Sequence, residues 1–337
     1  MEYPENPESN LDGYSSKPLE TFFGKKVLIA GGTGMIGRPL CALLQNLGAV
    51  VTAAGLETRA EARALLPEES RYIRSDFTDV DAAREACEGQ EYVFNLVGIK
   101  GSVGIGETKA ASYLVPMLRF QANLTEAAWE AGVKGFLFVS SINVYPQAAL
   151  HLERNAWKGA PLQNDRIPGI GKRVGEALGL AFQLEHGWEA MKVVRPANVY
   201  GRYDVVDPLR SQVIPALIHK FLHEKKQVSV WGDGKAVRDF VFSDDMAFWF
   251  AKAMLNLPPN YPVNLGSGTG ITIKELAGTV AAVTGFSGKI EFDVSKPSGD
   301  PIRLLDITRA ERLMAYENLT PLEEGIRKTM DWMRSQL

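Results

Sequence analysis

The chain has 337 residues, of which 45% are hydrophobic and 23% charged, a composition typical of a globular protein with a large core. Its formal net charge is −3, from 37 basic and 40 acidic residues, without a block of like charge. This balance argues against nucleic acid or an anionic membrane as a partner. Cys41 and Cys87 lack any motif spacing, which indicates buried thiols in a reducing compartment.

No apolar run reaches the roughly 20 residues that cross a bilayer, so we predict a cytoplasmic protein without a membrane partner. The polar, acidic start, Met1–Ser16, lacks the basic end and the apolar stretch of a signal peptide. We predict a loosely packed polar arm over residues 1–22. A dinucleotide-binding domain over 23–200 and a smaller, interwoven substrate lobe over 201–337 are expected to follow.

Apolar runs alternate with helix-period segments between about residues 25 and 195. The predicted strands are Val27–Ala30, Val50–Ala54, Tyr72–Arg74, Tyr92–Leu96, Phe136–Ser140 and Met191–Val194. Helical patterns between them include Ile36–Leu47, Val80–Cys87 and Phe120–Ala131. This alternation predicts an α/β fold with a Rossmann-type, doubly wound parallel sheet. A ligand should then lie beyond the carboxyl ends of the strands.

A glycine-rich turn follows the first predicted strand and leads into a helical pattern. Its G-x-x-G-x-x-G spacing is that of a dinucleotide fingerprint. Gly31 permits the tight turn, Gly34 lets a pyrophosphate approach the backbone, and Gly37 lets the helix pack closely on the strand. The free N–H groups of the helix amino terminus favour a phosphate. The turn predicts NAD or NADP as cofactor, bound by Gly31, Thr33, Gly34, Met35, Ile36 and Gly37.

The end of the second predicted strand leaves the choice between NAD and NADP open. An acidic residue there would bind the adenosine ribose, but the corresponding residue is Gly55. Glu57, two residues later, is still within reach of the ribose. Arg38 and Arg59 offer instead a pair of cations for a 2′-phosphate, or two ordinary surface side chains.

Beyond residue 200 the strict alternation ends, and we predict a smaller, mixed carboxyl-terminal lobe. The pattern predicts helices over Ser211–Glu224 and Asp244–Leu257 and short strands over Val228–Trp231 and Val237–Phe242. Two sequences are typical of capping boxes that open helices: Thr272 with Glu275, and Thr320 with Glu323.

Four further motifs resemble the extended short-chain dehydrogenase/reductase superfamily, the NAD-dependent epimerases and dehydratases, most of which act on nucleotide sugars. They are Asp76-Phe77, Asn95-Leu96-Val97-Gly98, Ser140-Ser141-Ile142-Asn143-Val144-Tyr145 and Arg195-Pro196-Ala197-Asn198-Val199-Tyr200-Gly201. Within the superfamily the GDP-L-fucose synthases are the most similar. The stretches that carry this likeness are Val213–Leu217, Val230–Gly234, Arg238–Phe240, Lys296-Pro297 and Arg303–Asp306.

The resemblance implies roles for individual residues. Ser141 would hydrogen-bond the reacting sugar oxygen, and Lys172 would bind the nicotinamide ribose and lower the pKa of a neighbouring proton donor. Further cofactor contacts would come from Glu57, Arg59, Asp76, Phe77, Val97, Gly98, Pro196 and Asn198. A nucleotide-diphosphate sugar, with a GDP-sugar among the candidates, would be held by Asn143, Asn198, Gln212, Lys220, Trp231, Arg238 and Arg303. Independently of the resemblance, the glycine-rich loop after the fourth predicted strand either lines the substrate cleft, with Lys100 pointing inward, or is a mobile surface connection.

The chain departs from the superfamily pattern where proton transfer is expected. The tyrosine that stands four residues before the lysine is replaced by Pro168, which has no acidic group. The positions of the epimerising cysteine and histidine of fucose synthases fall on Asn143 and Gln212, poor acids and bases near neutral pH. Tyr145 is expected to pack behind the serine motif, and Asp165 to serve as a turn or cap residue.

Two functions are therefore open. One is an NAD(P)-dependent nucleotide-sugar oxidoreductase, epimerase or dehydratase with altered proton-transfer groups. The other is a non-catalytic protein that binds a cofactor or sugar nucleotide. His219 and His223 lack the acid of a zinc protease motif, so we predict no metal site. By resemblance, helices near Ala110–Ala131 and Lys172–His186 would pair in a homodimer.

Overall fold

The computed structural model describes residues 17–99, 109–205, 211–296 and 298–336. The strands of the first half are β1 (Lys26–Ala30), β2 (Val50–Gly55), β3 (Arg71–Arg74), β4 (Tyr92–Asn95), β5 (Gly135–Val139), β6 (Met191–Pro196) and β7 (Asn198–Tyr200). Those of the second half are β8 (Gln227–Trp231), β9 (Val237–Arg238), β10 (Phe240–Phe242), β11 (Val263–Leu265), β12 (Ile271–Thr272), β13 (Lys289–Asp293) and β14 (Ile302–Arg303).

The helices surround these strands. They are α1 (Gly37–Asn46), α2 (Arg59–Leu65), α3 (Val80–Cys87), α4 (Ala110–Glu130), α5 (Arg166–His186), α6 (Val213–His223), α7 (Ser243–Asn256), α8 (Ile273–Thr284), α9 (Thr308–Met314) and α10 (Leu322–Ser335). Within the described ranges, none of them is long and apolar enough to cross a membrane.

The central sheet has seven strands in the described part of the chain, in the order β11-β6-β5-β4-β1-β2-β3. Every neighbouring pair is parallel. The strand order reverses at β1, which pairs with β2 on one side and β4 on the other. The predicted doubly wound α/β fold is confirmed, and the switch point lies beyond the carboxyl ends of β1 and β4.

The inner strands of the central sheet are buried on both faces, as their continuous apolar runs require. In β1, Val27 and Ile29 face one apolar cluster with α1 and α7, whereas Leu28 and Ala30 face another with α3 and α4. A third cluster joins β8 and β10 to α6, α8 and α10. The described chain also forms two-stranded sheets β10-β7 and β13-β8 and a three-stranded sheet β12-β9-β14.

The edge strand β11 was not predicted from the sequence. It spans Val263–Leu265 and pairs with Val194–Pro196 of β6. Three residues are too few to show a periodic pattern. The predicted strand over 237–242 is divided into β9 and β10 at Asp239, whose buried carboxylate accepts hydrogen bonds from the backbone N–H and hydroxyl of Ser267.

One predicted capping box is confirmed and the other is wrong. At the start of α8, the Thr272 hydroxyl accepts from the Glu275 N–H, and the Glu275 carboxylate accepts from the Thr272 N–H. At α10 the residue before the helix is Pro321, without a side-chain cap. The Thr320 N–H and hydroxyl donate instead to the carboxylate of Asp245 in α7, at 2.8 and 2.7 Å. A long-range partner has replaced the local one.

Part of the predicted polar arm packs onto the core. The Lys17 N–H donates to the side chain of Asn256, and Phe22 is fully buried against Tyr92 and Phe94. Residues 1–16 lie outside the described residues.

Candidate cofactor and substrate site

The glycine turn after β1 is closely packed where its glycines were predicted to be needed. Gly31 has φ +84°, and a Cβ there would lie 3.0 Å from the Leu96 carbonyl. A Cβ on Gly37 would lie 2.3 Å from the Gly31 carbonyl oxygen. A larger residue at either position would push the turn off the sheet, because both contacts are with backbone.

The amino end of α1 faces outward from this turn. No side chain caps the helix, Gly34 is exposed, and a Cβ on Gly34 would meet one atom within 4 Å, the Gly31 carbonyl oxygen at 3.2 Å. Thr33 and Met35 are buried and Ile36 is half-buried. Uncapped N–H groups beside an open backbone surface fit the pyrophosphate of a dinucleotide.

Glu57 lies close to the glycine turn at the end of β2. The Thr33 hydroxyl donates to Glu57 Oε2 at 2.8 Å, and the Tyr72 hydroxyl donates to the Glu57 carbonyl at 2.7 Å. Arg38 Nε donates to the Thr33 carbonyl at 2.8 Å. Arg59, the first residue of α2, is exposed. The structure thus brings Glu57 and Arg38 to the turn and leaves Arg59 at the surface.

Arg38 also joins the turn to the carboxyl-terminal part of the chain. Its guanidinium lies 4.6 Å from the centre of the Tyr203 ring, whose edge contacts Trp332 of α10. Tyr203 has φ +68°, a left-handed conformation rare outside glycine. Arg202 lies near the same ring and forms an ion pair with Asp244 of α7.

The remaining cofactor candidates lie at or just beyond the carboxyl ends of β3, β4 and β6. Asp76 is exposed and accepts hydrogen bonds from Thr78, while Phe77 is buried under the sheet face that carries α3 and α4. After β4, the Val97 N–H donates to the Asn95 side chain, and Gly98 is exposed. Pro196 ends β6 and is buried.

Ser141 and Lys172 both lie near the carboxyl end of β5. Ser141 follows that strand by two residues, and its hydroxyl accepts from the Asn143 N–H at 3.2 Å. Lys172 Nζ donates to the Val139 carbonyl, the last residue of β5, at 2.7 Å. Burial lowers the Lys172 pKa to about 8, although the Glu176 carboxylate acts in the opposite direction. The amine is thus cationic near neutral pH.

Three glycines, each four residues after the last, let the helix that carries Lys172 pack closely. A Cβ on Gly171 would lie 2.3 Å from Met117 Sδ, one on Gly175 2.1 Å from the Phe138 ring, and one on Gly179 2.1 Å from Met191 Sδ. The smooth face lets α5 lie against α4 and the sheet. Pro168 stands in its first turn, where a missing N–H costs nothing.

A buried charged network lies directly behind the serine motif, and the sequence analysis missed it. Arg195 and Glu176, both fully buried, form a two-pronged ion pair at 2.8 and 2.6 Å. Ser140 donates to the same carboxylate, and Tyr145 lies between Arg195 and Asn264. The expected packing role of Tyr145 is confirmed by its full burial. The sequence did offer a signal for this network, because Arg195 lies within an apolar strand and Glu176 follows a glycine on a closely packed helix.

Two arginines form a cationic centre beside Asn143. Arg238 and Arg303 are register partners on the parallel strands β9 and β14. Arg303 donates to the Asn143 side chain at 2.9 Å and forms an ion pair with Asp165 at 2.8 Å. Burial and the charge of Arg303 both lower the Arg238 pKa. The Asp165 pKa is raised by burial, against the pull of Arg303. Its side chain makes no cap of α5.

The other substrate candidates differ in how their side chains are held. The Asn198 side chain donates to the Asp239 carbonyl, next to Arg238. Trp231 is 59% exposed, with the Lys296 ammonium 5.9 Å from its ring centre. Lys220 donates to the Ser229 carbonyl of β8, and Gln212 is exposed before α6. Lys100 lies outside the described residues.

The parallel sheet, the uncapped helix after a glycine turn, and the serine and lysine beyond β5 define a Rossmann-type nucleotide-binding protein. Residues 27–266 match the NAD dependent epimerase/dehydratase family. The chain belongs to that family, and the resemblance inferred from its motifs is confirmed.

Individual proteins extend the comparison over nearly the whole chain. The probable GDP-L-fucose synthase 1 of Oryza sativa subsp. japonica is 34% identical over 321 residues, which cover 92% of each chain. The UDP-glucose 4-epimerase of Thermotoga maritima, solved with UDP-glucose, is 26% identical with a TM-score of 0.81, over 92% of this chain and 99% of that one. A GDP-L-fucose synthetase of Naegleria fowleri bound to NADP is 21% identical with a TM-score of 0.78, over 93% and 95%.

Proposed function

We propose that the chain is an NAD(P)-dependent enzyme that transfers a hydride to or from a nucleotide-diphosphate sugar, with unusual proton-transfer groups. The proposal rests on the arginine pair Arg238–Arg303. Arg303 is hydrogen-bonded to Asn143, which lies at the same end of the central sheet as the glycine turn. Two guanidinium groups on neighbouring strands suit a diphosphate, which offers several anionic oxygens. The GDP-sugars named for the relatives make a GDP-sugar the first substrate to test.

The residues around the reacting carbon would then divide the work. A bound nicotinamide supplies or accepts the hydride. Lys172 contributes a fixed positive charge beside β5 and a donor for the nicotinamide ribose. Ser141 would orient the sugar oxygen whose carbon changes oxidation state. Arg303, held by Asp165 and Asn143, would keep the diphosphate in place while the sugar reaches toward Ser141.

Pro168 sets the limit of this chemistry. It lies one turn before Lys172 in α5 and offers no proton, so the proton must come from solvent or from another group. Loss of a general acid costs on the order of 10²–10⁴ in rate and not the whole reaction. Asn143 is committed to Arg303 and is a poor acid, so the full epimerase and reductase activity of a fucose synthase is not expected.

A direct assay tests the proposal. Purified protein with NAD(P)H or NAD(P)⁺ is offered GDP-, UDP- and dTDP-sugars with and without a keto group, and absorbance at the reduced-nicotinamide band is followed. We expect a change with at least one sugar nucleotide. The double variant Arg238→Gln, Arg303→Gln should raise the KM for that substrate while cofactor affinity stays unchanged.

The vacant tyrosine position also supports a second candidate, a non-catalytic protein that binds a cofactor or sugar nucleotide. Calorimetry with the same compounds separates the two. Tight binding of a sugar nucleotide with no hydride transfer under any condition would favour the binding protein.

Cofactor binding has its own test. Gly34→Val places a side chain over the open backbone where the pyrophosphate would lie. Its Cβ would meet one atom within 4 Å, the Gly31 carbonyl oxygen at 3.2 Å, which must shift by a few tenths of an ångström. We expect at least tenfold weaker dinucleotide binding with little change in melting temperature. Unchanged affinity would contradict a pyrophosphate site at this turn.

We further propose a homodimer built on α4 and α5. Val115 on α4 and Ile170 and Val174 on α5 are 45, 38 and 39% exposed. Exposed apolar side chains on two neighbouring helices favour burial against a second copy related by a two-fold axis.

A further inference from the structure

The helices α4 and α5 pack side by side and run in the same direction. A Cβ on Gly171 would lie 2.3 Å from Met117 Sδ, and one turn later a Cβ on Gly175 would lie 2.7 Å from Gln121 Oε1. Each turn of one helix therefore faces the corresponding turn of the other. The same pairing, extended by one turn toward the amino ends, brings the first turn of α4 beside the first turn of α5.

Tyr113 is the α4 side chain that this pairing brings to the amino end of α5. It precedes Met117 by one turn on the same buried helix face, which places it opposite Ile167 and Pro168. Ile167 packs on the apolar cluster that includes Tyr113, as the pairing requires. Pro168 is the position at which the superfamily pattern has its proton-donating tyrosine. The neighbouring helix thus places a phenol beside the position where α5 has none.

The Tyr113 hydroxyl is available to a ligand. The side chain is 9% exposed, so its ring is held in place, yet its hydroxyl makes no hydrogen bond to another residue in the described ranges. Burial, then the charge of Asp165, raises the pKa of this hydroxyl. It therefore keeps its proton near neutral pH, which is the state that a proton donor needs.

Asp165 connects the surroundings of this hydroxyl to the serine motif. Its carboxylate, whose charge acts on Tyr113, forms an ion pair with Arg303 at 2.8 Å. Arg303 donates to the Asn143 side chain at 2.9 Å, and the Asn143 N–H donates to the Ser141 hydroxyl at 3.2 Å. A continuous series of contacts therefore leads from the carboxylate near Tyr113 to the residue that would orient the reacting sugar oxygen.

From this arrangement we propose that Tyr113 is the catalytic proton donor, in place of the tyrosine missing at Pro168. As a keto sugar is reduced, its carbonyl carbon accepts the hydride and the carbonyl double bond becomes a single bond. The Tyr113 O–H bond breaks, and its proton passes to the sugar oxygen, which becomes a hydroxyl group. The tyrosinate regains a proton from solvent. The inference rests on the proposed function and names the group that supplies its proton.

Single-turnover reduction of a keto sugar nucleotide by the enzyme loaded with reduced dinucleotide tests the inference. Tyr113→Phe keeps the ring and removes the hydroxyl, so we expect hydride transfer to slow by roughly 10²-fold or more. Dinucleotide affinity, measured by calorimetry, should stay unchanged. Tyr92→Phe is the matched control and should keep the wild-type rate. Burial raises the pKa of that hydroxyl too, but Tyr92 begins β4 at the opposite end of the sheet.

A change in the acidity of the same hydroxyl separates proton donation from a structural role. A polyfluorinated tyrosine in place of Tyr113 keeps the ring and the hydroxyl but loses its proton near neutral pH. The reduction rate should then fall at a lower pH than in the wild type, whereas the same replacement of Tyr92 should leave the pH profile unchanged.

The outcomes distinguish this inference from the proposed function. A wild-type rate in Tyr113→Phe, or an unmoved pH profile with the fluorinated residue at position 113, would overturn the inference and leave the proposed function standing. Absence of hydride transfer with every sugar nucleotide would overturn both.

Discussion

Lys172 gives the site a pH dependence that can be assigned to one side chain. Burial lowers its pKa to about 8, so the ammonium charge is lost as the pH rises through that value. We expect the single-turnover rate of hydride transfer to fall above pH 8. In Lys172→Arg the charge persists, so the alkaline fall should disappear even if the rate is lower.

Removing the polar group of Ser141 or Lys172 should slow hydride transfer more than the loss of the Lys172 charge at high pH does. We expect Ser141→Ala and Lys172→Met each to slow single-turnover hydride transfer by roughly 10²-fold or more. Lys192→Met is a matched control, because burial also lowers the pKa of Lys192 to about 8 but the residue lies near the amino end of β6. Wild-type rates in both site variants would show that the chemistry takes place elsewhere.

His151 should make the protein sensitive to acid. It is 1% exposed, stacks on Tyr145, and neither ring nitrogen has a hydrogen-bond partner among the described residues. Burial, then the charge of Arg303, lowers its pKa to about 4. The unfolded chain, with an ordinary value near 6.5, binds the proton more readily, so stability falls as the pH drops from 6.5 to 4.

We therefore expect His151→Phe to weaken the pH dependence of the urea midpoint between pH 6.5 and 4. At the acid end, the change in the free energy of unfolding is up to about 3 kcal/mol. The variant keeps an aromatic ring beside Tyr145. His223→Gln, on the surface of α6, is the control and should leave the slope as in the wild type. An unchanged slope in His151→Phe would assign the acid sensitivity to other groups.

At the scale of elements, α5 depends on its glycine face. Gly175→Ala adds a methyl group that would lie 2.1 Å from the Phe138 ring and 2.7 Å from Gln121 Oε1. Overpacking of this kind costs about 1–3 kcal/mol, more than the helix gains from alanine. Gly278→Ala in α8 meets nothing within 4 Å and should stabilise by about 0.5–1 kcal/mol. Chemical unfolding of both variants measures the difference; equal signs would contradict it.

Sequence patterns predicted the helices and strands well where the pattern lies within a few neighbouring residues. The strands from β1 to β6 and the glycine turn followed from apolar runs and spacing, and α3 has the predicted bounds. Thr320 was misassigned because its partner, Asp245, is 75 residues away. The contact of Arg303 with Asp165 and Asn143 is also long-range. Sequence spacing cannot indicate such contacts, since they depend on how elements distant in the chain pack together. The position of the missing tyrosine at Pro168 stays a prediction.

At the scale of the whole molecule, the proposed dimer predicts which surface change separates the subunits. Ile170→Glu or Val174→Glu would bury a charge between two apolar helix faces, which costs several kcal/mol. We expect a dimer mass for the wild type by light scattering at micromolar concentration, and a monomer mass for either variant. Val294→Glu, 76% exposed in the turn after β13, should remain dimeric. A monomeric wild type would contradict the proposal.

The position of β11 has a consequence for how the chain is made. The sheet that carries the glycine turn ends in a strand at Val263–Leu265, and α7 covers one of its faces. While the ribosome synthesises the first 240 residues, β6 is an unpaired edge and that face is open to solvent. A nascent chain stalled there, or a fragment cut at residue 200, would carry every residue of the glycine turn and yet remain prone to aggregate. The nucleotide fold becomes complete only after Leu265 has left the ribosome.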